Sequence, residues 1–254
     1  MASIMTNVPV LFVDASILGV QVAIVDASSA DKVGTERILW HGSHNENMGA
    51  LQAISRLTQQ GLRELNIRFD QLAGLAVGSG PGSFTGIKVG LAFAYGLTTA
   101  SGKPMPMLAV SALEATALAI AESSDVAVFL PATKTHGFAT VAPAPDSSVQ
   151  SMAAALVDCD QKVPEMLADL PASCQLISIG EWPLLSEVAA KRHRKIAVMA
   201  PAQACRIALA TMADQIAAAW PQNFKPDMPE PKYLRLSTAE EKLLTQTNSP
   251  SAKE

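Results

Sequence analysis

The sequence predicts an α/β protein made of two similar lobes. Short apolar runs of strand length alternate with longer stretches of helical composition. The order β-β-β-α-β-α-β-α, read over roughly the first half, recurs in the second. Between a buried strand and an apolar helix lies a glycine-rich turn, Gly78-Ser79-Gly80-Pro81-Gly82-Ser83, around which the rest is organised. No identity between the halves is visible, so the repeat rests on element order alone. At 254 residues, 49% of them hydrophobic, the chain has apolar material for a large core without a disulfide or metal staple.

The elements follow in order. Val8–Val13 is a strand ending at Asp14-Ala15-Ser16. Val20–Val25 and Arg37–His41 complete a meander whose turns carry Gly19 and Gly34. Met48, Leu51, Ile54, Leu57 and Gly61 are spaced as a helix running to about Leu65. The strand at 72–77 leads into the glycine turn, and a helix starts near Ser83, a good N-cap. A strand at Met105–Ala109 follows, then a helix opened by a Ser111/Glu114 capping box. In the second half, strands are expected at Val126–Leu130, Gly137–Val141 and Met152–Val157. A helix over Val163–Leu170, a strand at Gln175–Ile179, a helix at Pro183–Lys191, a strand at Ile196–Met199 and a helix at Pro201–Trp220 complete the set. This divides the chain into 1–109, 110–236 and a polar, aperiodic segment, 237–254, expected to be a disordered tail.

Bulk properties narrow the function. A net charge of −4 argues against a generally basic nucleic-acid surface. Cys159, Cys174 and Cys205 form no C-x-x-C pair, which favours a reducing cytoplasm and no zinc site. No basic leader precedes an apolar core, and no apolar run reaches about 18 residues, so neither secretion nor membrane insertion is expected.

The glycine turn is no known phosphate loop by spacing. Lys88 follows Ile87, so no Walker pattern fits; the dinucleotide pattern fails at Ser83 or Thr85; no Gly-x-Ser-x-Gly elbow is present. Read from the residues alone, it is either a tight strand-to-helix turn or an anion cradle at a helix start, formed by Gly78, Ser79, Gly80, Pro81, Gly82, Ser83 and Thr85 with Asp14 nearby. The helix after it is apolar nearly all round from Phe84 to Leu97, which implies burial on both sides. Gly86, Gly90 and Ala94 form a small-residue stripe. Either the helix is central to one domain, or one face meets a second subunit.

These residues carry a resemblance. VGSGPGSFTGIKVGLAFAYGL resembles the signature of the TsaB (YeaZ) family, bacterial partners in making threonylcarbamoyladenosine on tRNA. The family pattern Gly/Ser-x-Gly-Pro-Gly-Ser-Phe-Thr-Gly-x-Arg/Lys-x-Gly matches Gly78–Gly90. Pro231–Arg235 is similar to the family's closing Pro-x-Tyr-Leu-Arg, and His44-Asn45-Glu46 to a His-Ser/Asn-Glu element. The resemblance, weaker over about residues 8–236, implies two RNase H-like lobes of the actin/sugar kinase/Hsp70 superfamily. It implies a cytoplasmic, non-catalytic subunit that binds and activates TsaD, joined by the ATPase TsaE, with tRNA met only through the complex; alone, the chain is left open between monomer and homodimer. The interface implied lies on the helices of Met48–Leu62 and Phe84–Leu97, with Met48, Leu51, Ile54, Gly86, Gly90, Leu91, Ala94 and Tyr95 as contacts. The alternative is a nucleotide-binding or kinase-like superfamily member acting alone.

Candidate chemistry is sparse. Asp14 sits where nucleotide-using superfamily members carry a first-strand acid, or it caps the next turn. The corresponding turn of the second lobe, Pro131-Ala132-Thr133-Lys134, has no carboxylate, and Gly137 stands where TsaB members carry Glu. An ATP clamp needs charge balance from both lobes. No catalytic residue, resident metal or cofactor is therefore expected; ATP or ADP is admissible only at the complex interface. His41 and His44 flank Gly42-Ser43, read as a turn rather than a metal site. Lys191–Lys195 is read as a solvated turn, with RNA phosphate contact as the alternative.

Overall fold

The computed structural model describes residues 7–234 apart from 18, 29–30, 45–48, 101 and 103–104. Met48, the Asn45-Glu46 pair, Arg235 and the expected tail lie outside the described residues. Two five-stranded mixed sheets dominate. The first has the order β3-β2-β1-β4-β5, from β1 (Pro9–Asp14), β2 (Val20–Asp26), β3 (Ile38–His44), β4 (Gly74–Gly78) and β5 (Met107–Val110). The second runs β10-β9-β6-β7-β8, from β6 (Val126–Pro131), β7 (His136–Ala142), β8 (Met152–Asp158), β9 (Gln175–Ile179) and β10 (Ala197–Met199). Each is an antiparallel meander extended by two parallel strands on the side of its first strand. The second sheet thus repeats the first strand for strand; the two lobes expected from the element order are present, in the RNase H-like form that the resemblance implies.

Among the described residues, six α-helices cover the sheets: α1 (Ala50–Glu64), α2 (Phe84–Ala100), α3 (Ala112–Ile120), α4 (Lys162–Asp169), α5 (Pro183–Ala190) and α6 (Pro201–Ala219). Central strands alternate between two cores, because successive side chains point to opposite faces. Val10 and Phe12 of β1 enter a core shared by both lobes, whereas Leu11 and Val13 pack under α1 and α2. Val126 and Val128 of β6 enter the shared core, and Ala127 and Phe129 pack beneath α4 and α5. Two helices, α3 and α6, join the lobes. α3 packs on β6, β7 and β8, α6 packs on β2 and β5, and the two helices pack on each other. The lobes are thereby welded through one apolar layer.

Two local expectations are corrected. His41–His44 is strand, not turn: β3 stays paired with β2 through His44↔Val20. Gly42 is there because Trp40 folds back over it; a Cβ at Gly42 would overlap that indole, and one at Gly61 would crowd it from α1. Trp40 Nε1 then donates to Glu64 at 2.7 Å, a strand-to-helix pin that periodicity could not reveal. At α3, the Ser111 hydroxyl accepts the Glu114 N–H at 3.4 Å, but the reciprocal half of the capping box is absent. The Glu114 carboxylate instead accepts the Ala154 N–H at 3.0 Å.

Asp26, at the end of β2, is a buried polar hub. It accepts from the Val8 N–H (3.0 Å), the Ser28 N–H (3.0 Å), the Ser28 hydroxyl (2.6 Å) and Lys32 Nζ (2.6 Å). Burial by itself would raise its carboxyl. The Lys32 ammonium and the Ser28 and Val8 donors outweigh that and hold it at about 2. A depressed folded-state value stabilises above the ordinary carboxylate range and loses that contribution as pH falls through the folded value. Asp26→Asn is therefore expected to cost about 2 kcal/mol at pH 7. The deficit should vanish between about pH 4 and pH 2, as read by urea denaturation of both proteins across that range.

Candidate functional site

The glycine turn is zipped against the β1–β2 turn. Asp14 Oδ1 accepts the Ser16 N–H at 2.8 Å, closing an Asx-type turn. Opposite it, Gly78 ends β4, and a Cβ there would overlap the Asp14 carboxylate. Further along, a Cβ at Gly82 would overlap the Ser16 carbonyl oxygen and one at Gly86 the Ala15 carbonyl oxygen. Three signature glycines thus share one task, letting two backbones touch where any side chain would wedge them apart. The Ser83 N–H donates to Ser16 O at 2.6 Å, while the Ser83 hydroxyl caps α2 by accepting the Gly86 N–H at 3.1 Å. Ser79 is tied to β5, its N–H and hydroxyl both donating to Val110 O at 2.9 and 3.1 Å. Of the two readings of this turn, the interlock is what the geometry displays. The Ser83 and Gly86 N–H groups, two of the donors an anion would use, are spent inside the chain.

The interlock forms one wall of a cleft between the lobes, about 480 Å³ in volume. Ser16, Gly82, Ser83 and Thr85 face it from the first lobe, and Pro131, Ala132, Gly180 and Glu181 from the second. Lys232, Tyr233 and Leu234, from the closing motif, line it as well. The Lys232 N–H donates to Ser79 O at 2.9 Å, and Lys232 Nζ reaches both Glu114 oxygens at 3.0 and 3.1 Å. The Tyr233 ring lies 4.7 Å from that of Phe84, tilted by 44°, and Lys88 Nζ sits 4.0 Å over the other aromatic, Phe84.

Metal-bound triphosphate, which the superfamily resemblance would bring to such a cleft, does not fit these residues. Asp14 is 3% exposed, and burial pushes its carboxyl up against the pull of Ser16. It does not line the cleft; the carboxylate that does is Glu181, on the loop after β9. Across the cleft, the turn without an acid is built around Trp182, whose Nε1 donates to Lys134 O at 2.9 Å. A Cβ at Gly137 would stand 2.5 Å from that indole, so the glycine at the Glu place makes room for a tryptophan. Neither Glu181 nor Trp182 carried a motif signal, because both act through a tertiary contact.

The remaining candidates resolve into structural roles. His41 Nε2 pairs with the Gln21 amide oxygen at 3.2 Å, and burial pushes its ring towards neutrality. His44 Nδ1 meets Arg56 at 3.2 Å. Three apart on a strand, the two imidazoles face opposite sides. Among the described residues, no cluster of three or more His, Cys, Asp or Glu could hold a metal. In the basic run, Arg192 donates to Pro164 O (3.0 Å), and Arg194 to Leu170 O (3.2 Å) and Cys174 O (2.9 Å). These arginines staple the chain around α4, while Lys191, Arg192, His193 and Lys195 are exposed, as expected of a solvated turn.

The helices expected to meet a partner divide by face. Ile54 is 0% exposed, Leu91 5% and Ala94 1%, and all three belong to the core under α1 and α2. Gly86 and Gly90 are buried as well. Gly86 and Ala94 of the small-residue stripe therefore face this chain's own interior, whereas a Cβ at Gly90 would meet nothing within 4 Å. The outer side of α2 carries Thr85, Lys88, Ala92, Tyr95, Gly96 and Thr99. Tyr95 is 56% exposed, and Leu51 on α1 is 54% exposed. The near-continuous apolarity of α2 arises because Ala92, Tyr95 and Gly96 replace the charges an ordinary outer face would carry.

The solved structures most like this chain include YeaZ from Pseudomonas aeruginosa (TM-score 0.62, 18% identity, covering 89% of this chain and 99% of that one). Another is an uncharacterized protein with similarity to peptidase YeaZ, also from Pseudomonas aeruginosa (TM-score 0.63, 19% identity, the same coverage). The chain has the YeaZ fold. That agrees with the resemblance read from the signature turn. The family model for TsaD, tRNA N6-adenosine threonylcarbamoyltransferase, matches residues 50–142, from α1 through β7. Two curated proteins of that description are also similar. The one from Methylobacterium sp. (strain 4-46) is 39% identical over 77 residues, 30% of this chain and 22% of that protein. Its counterpart from Methylobacterium nodulans is 43% identical over 68 residues, 27% of this chain and 19% of that protein. This YeaZ-like chain thus matches about a fifth of the length of these relatives. Among its described residues no helix is long and apolar enough to cross a membrane.

Proposed function

We propose that this YeaZ-like chain is an accessory subunit of the machinery that places threonylcarbamoyl groups on tRNA adenosine. It would pair with a TsaD-type transferase and hold it in an active arrangement, TsaE joining the pair. One observation carries the reading: on α1 and α2 the chain buries one face in its own core and leaves Leu51 and Tyr95 outward, 54% and 56% exposed. Exposed large apolar and aromatic groups on neighbouring helices suit a protein interface. The TsaD family match over residues 50–142 includes both helices. A partner of that family would bring the same helix pair, so related surfaces can meet about an approximate two-fold axis. The poor fit of the cleft to metal-bound triphosphate favours this reading over a kinase-like enzyme acting alone.

Reconstitution tests it. Purified TsaD and TsaE with a threonylcarbamoyl donor and unmodified tRNA are expected to form threonylcarbamoyladenosine at least about tenfold faster when this chain is added. Equal rates with and without it would refute the subunit role, and ATP turnover by the isolated chain would replace it with the kinase-like alternative.

A further inference from the structure

Along α2, Phe84, Lys88, Ala92 and Tyr95 recur at intervals of four, four and three, which sets them in one row on a helix. Lys88, Ala92 and Tyr95 are exposed and Phe84 is half-buried. The row does not stop at the helix start. Phe84 stacks on Tyr233, at 4.7 Å between rings, with Lys88 Nζ over Phe84 at 4.0 Å, and Tyr233 itself remains 40% exposed. Tyr233 therefore has two neighbours at once: it lines the cleft on one side and prolongs the α2 row on the other.

Its strap is anchored by groups from both lobes. The Lys232 N–H holds Ser79 O in the signature turn. Lys232 Nζ holds Glu114, whose carboxylate also takes the Ala154 N–H of β8. Leu234 packs on the core the lobes share. The strap, the signature turn, α3 and the second sheet thus meet at two residues, Lys232 and Glu114.

Resting on the subunit role proposed above, we infer that the docking surface continues from α2 across the Phe84–Tyr233 pair. A TsaD-type partner seated on that surface would hold the strap beside the cleft. An aromatic pair with a lysine over one ring offers a desolvated anchor at the rim of an otherwise small-residue helix face. Covering Tyr233 would add a further tie to a strap already held at Ser79 and Glu114, so docking and the hold of the strap beside the cleft are coupled.

Tyr233→Ala is expected to weaken association with TsaD about tenfold by calorimetry, and Tyr233→Phe to leave it within twofold of the unaltered chain. In hydrogen exchange, adding TsaD should protect the Ser83–Ile87 and 232–234 amides of the unaltered chain, and protect them far less in Lys232→Met. A benzophenone side chain at position 233 should crosslink to TsaD, whereas one at Val198, exposed on the far edge strand, should not. If Tyr233→Ala binds as tightly as the unaltered chain, or position 233 fails to crosslink while the unaltered complex forms, the inference is overturned. If the unaltered chain does not bind TsaD at all, the subunit role falls first and takes the inference with it.

Discussion

Gly86→Ala is expected to destabilise the chain by about 3 kcal/mol, at the upper end for a forced overpacking. The added methyl would land on the Ala15 carbonyl oxygen. Neither side can yield, because the obstacle is backbone held by the Asp14–Ser16 turn and the methyl is fixed to the first turn of α2. One helical turn on, the same substitution should do the reverse. At Gly90 an added Cβ meets nothing within 4 Å, so Gly90→Ala gains helix propensity without a clash, about 0.5–1 kcal/mol. Urea denaturation of the two variants and the unaltered chain measures both. A neutral Gly86→Ala would mean that the signature turn is not interlocked with the β1–β2 turn.

Leu51→Arg combined with Tyr95→Arg is expected to weaken association with TsaD at least about a hundredfold. Truncating one central aromatic anchor commonly costs 2 kcal/mol or more, and a charge buried without a partner adds to it. Since both side chains point outward, the melting temperature should stay within about 2 °C of the unaltered chain. Light scattering of the mixture, beside a thermal melt of each protein alone, reads both quantities. Undiminished association would remove this face as the docking surface. Arginine at Gly90 is a poorer probe, because that position is buried in the free chain although a single methyl fits there. Arginine at Ala92, exposed in the same helix, makes a cleaner companion.

The strands were legible because each is a short apolar run bounded by turn residues, and no long-range contact is needed to see that. The helix of 50–64 was legible from its 3.6 spacing. What local pattern misassigned was the segment His41–His44. Gly and Ser there have turn composition, but the glycine answers to Trp40 lying over it and the strand continues. The Ser111/Glu114 box was half right for a related reason. The cap is local, whereas the Glu114 carboxylate is claimed by Ala154 and Lys232, distant in sequence.

The signature stretch shows the same division more sharply. Its residues sufficed to announce a strand, a tight turn and a helix, and to single out the family it resembles. They could not say which way the glycine stripe faces. Composition marks a side of α2 as small, but small residues serve equally where a helix meets its own backbone and where it meets another molecule. Only the position of the Ala15 carbonyl oxygen decides between them.

Taken by itself, the amino-acid order determined the alternation of strands and helices, the doubled lobe plan and the absence of an acid from the turn after β6, since each is a property of neighbours along the chain. The folded molecule alone decided which half of α2 is exposed, that Trp182 occupies the room left by Gly137, and that the last described residues line the cleft. Those depend on segments more than forty positions apart being pressed together, as Trp182 Nε1 is on Lys134 O, and no window of sequence contains both partners of such a contact.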